Sequence, residues 1–231
     1  MTDPELIEIF DNFAFDEVLR HSNLDARTRL MVQLASMIAC QALSEYRVML
    51  RAALAVGVTP VEIKEIVYQA VPYVGMANVF DFIHATNDAL SERGVALPLP
   101  GQSTTTPENR AEKGLAVQKQ IIGSDVVEKL YASAPDDLVH IQRYLSANCF
   151  GDNYTRAGLD APTRELLTLS MLVSLGGCEA QVKGHVAANL NVGADRARLI
   201  DVLTQLLPFI GYPRTLNALR VVDEVTASSA R

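Results

Sequence analysis

The chain has 231 residues, 49% hydrophobic and 20% charged, enough to bury one large core or two small ones. Its formal net charge of −7, with no run of Lys or Arg, excludes an electrostatic grip on nucleic acid or anionic lipid. Three cysteines are too few and odd in number for a secreted disulfide framework, and point to a reducing cytoplasm. The start, MTDPELIEIFDNF, has no positive end, apolar stretch or cleavage site of a signal peptide. The longest apolar run, around Leu166 to Leu175, is too short to span a bilayer.

Helical periodicity runs nearly throughout, and no two-residue alternation of a strand is present, so the spacing predicts an all-α fold. Asp3-Pro4-Glu5 starts a first helix, and Asn23 to Asp25 ends that segment and caps a second, about Ala26 to Cys40. A third, about Leu43 to Val56, stops at Gly57. Thr59-Pro60-Val61-Glu62 has the pattern of a capping box and opens a helix that reaches Pro72. After Tyr73-Val74-Gly75, a further helix runs to about Arg93. From Gly94 the composition changes to GVALPLPGQSTTTP, a linker or ordered arm without helical periodicity. Helical segments resume near Glu108, Ser124 and Pro135, the last expected to end at Phe150 before Gly151. Asp160 caps a helix from Thr163 to Leu175 that is apolar almost all round and therefore buried. Gly176-Gly177 breaks it, the Cys178 helix follows to Gly193, and another from Asp195 is expected to be interrupted at Pro208 before the last one starts at Gly211.

The two halves repeat. Leu24-Asp25 and Arg29 fall on Leu159-Asp160 and Arg164 at an offset of 135, and Gly57, Pro72 and Gly75 fall on Gly193, Pro208 and Gly211 at an offset of 136. The shared Gly and Pro positions are the breaks that define the helices, so the chain is a tandem duplication with one residue inserted at Gly176-Gly177. It divides into a first helical repeat over 1–94, a linker over 95–107 and a second repeat over 108–231.

Cys178, Gln181 and His185 stand at i, i+3 and i+7, on one face of a helix. A lone Cys is commonly a small core residue and a lone His a satisfied one. The first copy supplies an internal control: it has Ala42, Glu45 and Met49 at the same places, so the fold does not dictate the polar stripe. That divergence marks the second copy as the one carrying reactive groups, His185 above all.

With these residues in hand, the chain resembles the carboxymuconolactone decarboxylase family, which also holds the alkylhydroperoxidase D thiol peroxidases. The resemblance is carried by MLRAALAVGVTPVEIKEIVYQAVPYVGMAN (49–78) in the first copy and by the stretch from about Leu115 to Val222, including CFGDNYTRAGLDAPTRELLTLSMLVSLG, in the second. It implies an all-α fold in a ring-like homo-oligomer, a trimer for a two-copy chain. Family peroxidases resemble C-x-x-C-x-x-x-H with an upstream Glu; Cys178, His185 and Glu165 match, but Gln181 occupies the resolving cysteine's place. Family decarboxylases carry Glu four residues before the His and Arg two residues after it. These features are split here: His185 has Gln181 and Ala187 beside it, while Glu45 and Arg51 flank Met49.

The resemblance implies a decarboxylase-like lyase acting on a small carboxylated lactone or a related aromatic-derived intermediate, with a thiol peroxidase and a non-catalytic small-molecule-binding scaffold as alternatives. In the first, His185 donates or shuttles the proton and Glu165 or Glu45 orients it. Arg51 or Arg164 would hold a substrate carboxylate; the ordinary alternative for each Arg is a surface ion pair, and for Glu165 it is stabilisation of the helix N-terminus. In the second, Cys178 at a helix N-terminus is expected to have a lowered thiol pKa. Tyr154, Tyr73 and Tyr212 are candidate pocket residues in any of these. His21, His84, His140 and His185 lack metal-ligand spacing among themselves and no phosphate-cradling loop is present, so no cofactor is expected.

Overall fold

The computed structural model describes residues 2–229; Met1 and residues 230–231, the outer ends of the two predicted repeats, lie outside them. Helix α1 (Pro4–Asn12) continues through a π-turn (Phe13–Glu17) and a short 3-10 turn (Leu19–His21) into α2 (Ala26–Ala39), α3 (Leu43–Ala55), α4 (Pro60–Val74) and α5 (Met76–Glu92). After the arm come α6 (Arg110–Ile122), α7 (Ser124–Ala132), α8 (Val139–Tyr144) and a π-helical continuation (Leu145–Tyr154), then α9 (Ala161–Leu175), α10 (Glu179–Asn191), α11 (Arg196–Ile210) and α12 (Tyr212–Ser229). No strand occurs among the described residues. Helices α2–α5 and α9–α12 are the two copies, and even the π-turn after α1 has its counterpart after α8.

The caps are local and follow the sequence. Asp25 and Asp160 accept from the Thr28 and Thr163 backbone N–H at 2.9 Å in each copy. Thr59 and Glu62 close the predicted capping box reciprocally, at 3.2 and 2.8 Å. Proline does not end the helices as expected: α4 and α11 run through Pro72 and Pro208 and stop two residues later, before Gly75 and Gly211, whose φ values are +83° and +78°. Proline removes one backbone hydrogen bond near the helix end, where few remain to lose, whereas only the glycine can take the left-handed turn.

The segment expected to begin at Pro135 and end before Gly151 also differs. It begins at Val139 and passes through Gly151 to Tyr154, absorbing most of the predicted connection. Gly151 is needed for close approach rather than as a stop. A Cβ there would lie 2.2 Å from the Arg110 carbonyl oxygen, and one at Gly114 would lie 2.0 Å from that of Ser146, so α6 and the π-helix meet backbone to backbone. The arm is ordered against this unit: the Ala157 N–H donates to Gln102 O at 2.9 Å and Thr104 Oγ1 to Thr155 O at 2.8 Å.

The two copies share their centre. Every residue from Leu30 to Ala39 of α2 and from Arg164 to Ser174 of α9 is buried, and one apolar core draws on both copies. Helix α9 packs on α2 and on α4 of the first copy, while α2 packs in turn on α11 of the second. At the α4–α9 crossing the wholly buried guanidinium of Arg164 meets Glu65 Oε2 at 2.8 Å and Gln69 Oε1 at 2.9 Å, and Arg156 closes on the same carboxylate at 2.9 Å. Burial lowers the Arg164 pKa, and the Glu65 carboxylate opposes that shift by favouring the charged form. Glu65→Ala would leave a buried guanidinium without its counter-charge, and should cost about 3–5 kcal/mol in urea unfolding; a loss below about 1 kcal/mol, as for a surface pair, would show that the crossing does not depend on it.

Candidate active site

Glu165 stands on α9 next to Arg164, and its side chain is wholly buried. His185 projects from α10 towards it: Nδ1 lies 2.8 Å from Glu165 Oε2, and the imidazole is 13% exposed. The second carboxylate oxygen, Oε1, accepts from Tyr154 Oη at 2.7 Å. A carboxylate placed this way accepts the Nδ1–H of His185, which leaves Nε2 as the ring nitrogen free to exchange a proton with another molecule. Asn189, one turn after His185, donates to the backbone carbonyls of Glu165 at 3.1 Å and His185 at 2.8 Å, locking α10 against α9.

Behind Glu165 the hydrogen bonds run in one direction. Arg164 Nη1 donates to Gln69 Oε1, Gln69 Nε2 donates to Thr168 Oγ1 at 3.2 Å, and Thr168 lies 2.8 Å from Tyr154 Oη. Since Tyr154 donates to Glu165, the Thr168 hydroxyl donates to Tyr154, and every donor in the series points at the carboxylate. Tyr73, from α4 of the first copy, adds a second donor to Tyr154 at 3.1 Å and sets its ring edge-on to His185, with centroids 5.6 Å apart. Burial, then neighbouring charge including Glu165, holds the Tyr154 hydroxyl well above its ordinary pKa; Tyr73 is raised by burial, then by Cys149 and Glu165. Both phenols therefore stay protonated as donors.

Of the residues singled out in the sequence, His185, Glu165, Tyr154 and Tyr73 come together. Gln69 and Thr168 were missed because they are ordinary core residue types, brought together by packing between copies. Arg164 does not reach a substrate as expected: it is sealed at the α4–α9 crossing with Glu65, Gln69 and the Arg156 carbonyl as partners. Arg51 is exposed and faces Glu92 of α5 at 3.6 Å, and Glu45 lies on α3, which packs on α2 and α5. Helix α10 packs instead on α9, α12 and α6, so Glu45 and Arg51 do not assemble around His185 within one chain. Gln181 is exposed on α10, and Tyr212 is exposed at the start of α12.

Cys178 caps α10 but its thiol pKa is raised, not lowered, by partial burial and by the neighbouring Glu179 carboxylate. Its Sγ lies 3.1 Å from Leu172 O, and it lines a cleft of about 280 Å³ with Gly176, Gly177 and Arg214 that His185 does not share. The helix-terminus effect is outweighed by desolvation. Cys149, 3.6 Å from Tyr73 Oη, is pushed up by burial to about 12. Among the described residues no group of three or more His, Cys, Asp or Glu is placed to hold a metal ion, and no helix is long and apolar enough to cross a membrane.

The model of the carboxymuconolactone decarboxylase family matches the chain twice, over residues 4–88 and 140–224. The chain belongs to that family. Each match spans one copy of the duplication, with the Glu165–His185 pair in the second. Among curated proteins, 4-carboxymuconolactone decarboxylase of Acinetobacter baylyi is 27% identical over 118 residues, 51% of this chain and 87% of the relative. An uncharacterised 15.0 kDa protein of Paracoccus denitrificans is 31% identical over 44% of this chain and 71% of its own length. Nitrosuccinic acid decarboxylase of Metarhizium robertsii is 24% identical over 49% of this chain and 78% of its own.

The thiol environments give a direct check. With iodoacetamide, native Cys178 should react more slowly at pH 7 than a free cysteine and accelerate as the pH rises through 9 and beyond. Cys149 should stay unlabelled until the protein unfolds. Rapid labelling of Cys178 at pH 7, read by peptide mass spectrometry, would contradict a raised thiol pKa.

Proposed function

We propose that this protein is a decarboxylase of small carboxylated substrates, of the carboxylated-lactone type, with His185 as the proton donor. The observation that carries this reading is the His185–Glu165 contact at 2.8 Å, with the carboxylate held in turn by Tyr154. Two of the relatives are named as decarboxylases, which supports the reaction class.

The chemistry asks for little more than one positioned acid. The substrate's C–CO₂⁻ bond breaks, CO₂ leaves, and the electron pair passes into the conjugated lactone carbonyl. The electron-rich carbon then takes a proton from His185 Nε2, and the imidazole is recharged from solvent through its exposed edge. The buried Glu165 carboxylate stabilises the imidazolium form needed before the transfer and fixes the ring's rotation. Tyr73, edge-on to the ring, limits the directions from which a substrate reaches it. Cys178 takes no part: its thiol opens on a separate cleft and has no second cysteine three residues on.

Decarboxylation of an unsaturated lactone acid, followed by CO₂ release, separates these roles. His185→Ala should lower kcat by about a hundredfold or more, and Glu165→Gln by roughly tenfold to a hundredfold, the scale of a positioned general acid. Cys178→Ser should keep most of the activity. Full activity in His185→Ala, or its loss in Cys178→Ser, would overturn the assignment.

A further inference from the structure

The duplication gives the His185 face a twin. At an offset of 136, Cys178, Gln181 and His185 correspond to Ala42, Glu45 and Met49, and Tyr73 corresponds to Phe209; at 135, Glu165 corresponds to Leu30. The reactive pair is thus replaced by Leu30 and Met49, and the phenol that meets His185 by a plain phenyl ring. Four of these counterparts, Ala42, Glu45 and Met49 of the first copy and Phe209 of the second, line one cavity of about 660 Å³, together with Leu6, Ile7, Phe10 and Phe15.

That volume is in the range of small-molecule sites, and the floor is apolar: Met37 and Met49 are 1% and 8% exposed. Its charges are of one sign, beside the neutral Ser36, Ser44 and Cys40. Asp11 and Glu45 are the charged residues of the lining, and no Lys, Arg or His joins them. Neither carboxylate has an ion-pair partner among the described residues, so their negative potential is unopposed at the mouth. Leu6, Phe15 and Val48 on the rim are 65%, 44% and 63% exposed, an unusual amount of apolar surface to gather around one opening.

We infer that the first copy retains this cavity as a binding site for a neutral apolar small molecule, without chemistry. The inference rests on reading the His185 face as the substrate side of the second copy. The two sites divide the duplication's shared geometry: one keeps a proton donor for an acidic substrate, and the other has lost the donor and repels acids. An uncharged ring system can bury against Met37, Met49 and Phe209, whereas a carboxylate or sulfonate would be desolvated beside Asp11 and Glu45 with no cation to meet it.

Two dyes with the same skeleton test this. N-phenylnaphthylamine is neutral, and anilinonaphthalene sulfonate adds one negative charge. The native chain should bind the neutral dye saturably, one per chain, and the sulfonate at least about tenfold more weakly. Val48→Glu, an exposed substitution that leaves the core intact, should weaken the neutral dye by about tenfold. Glu45→Lys should let the sulfonate bind. His185→Ala should change neither, which separates this result from the fate of the decarboxylase reading. No saturable binding, equal binding of both dyes, or no response to Val48→Glu would overturn the inference. Dye binding that falls as the chain self-associates, followed by sedimentation equilibrium, would overturn it in favour of a second copy as the occupant.

Discussion

The fold is organised around a charge that has no exit to water. Arg164 is wholly buried on the central helix of the second copy, and its single carboxylate partner, Glu65, belongs to the first. An ion pair of this kind adds little net stability over a packed apolar contact, but sliding α4 along α9 would strand a guanidinium in the core. The register of the two copies is therefore set by what it costs to misalign them. Gln69, one turn after Glu65, falls opposite Thr168, one turn after Arg164, and their hydrogen bond follows from that register. Within the second copy, Thr168 then lies beside Tyr154, which donates to Glu165, and Glu165 holds His185. The proton-transfer group thus stands at the end of a buried polar series that begins as an interface between repeats.

Duplication lets one architecture carry two different sets of side chains. The central helices, their Asp caps and the glycines that end α4 and α11 are common to both copies, because backbone geometry demands them. Side chains that face away from that framework have been free to part. A buried Glu is tolerated in the second copy since Tyr154 and His185 satisfy both of its oxygens. In the first copy neither partner exists, and Leu30 occupies the place at no such cost. The pairs Glu165/Leu30 and His185/Met49 differ together, as coupled groups must: a buried carboxylate without its imidazole, or the reverse, is worse than two apolar residues.

Much of this was legible in the residues. Asp, Gly and helical periodicity located the elements, since capping and left-handed turns are decided within a few residues. Pro72 and Pro208 misled, because a proline in the last turn of a helix breaks less than one in its middle. Gly151 misled for another reason: glycine serves close backbone approach as well as termination, and only the neighbouring helix tells which. Within the site, His185 and Glu165 were visible through the divergence between copies and the family resemblance. Gln69 was not, and Tyr73 was visible only as a pocket candidate, since nothing in a first-copy core helix signals contact with the second copy's reactive residue. Arg164 and Cys178 were visible but misread. Burial decides both, turning a presumed anion anchor into an interface charge and a presumed thiolate into a thiol.

Glu165, held by Tyr154, keeps the Nδ1–H of His185 to itself, so that Nε2 is the nitrogen that takes a proton from solvent and hands it on. Nitrogen NMR of ring-labelled histidine measures this directly, with His185→Ala identifying the signal. Neutral His185 should be the Nδ1–H tautomer, against the usual preference of a solvated imidazole. A neutral His185 found mainly as the Nε2–H tautomer would contradict this, because Glu165 would then be donating to Nδ1 rather than accepting from it.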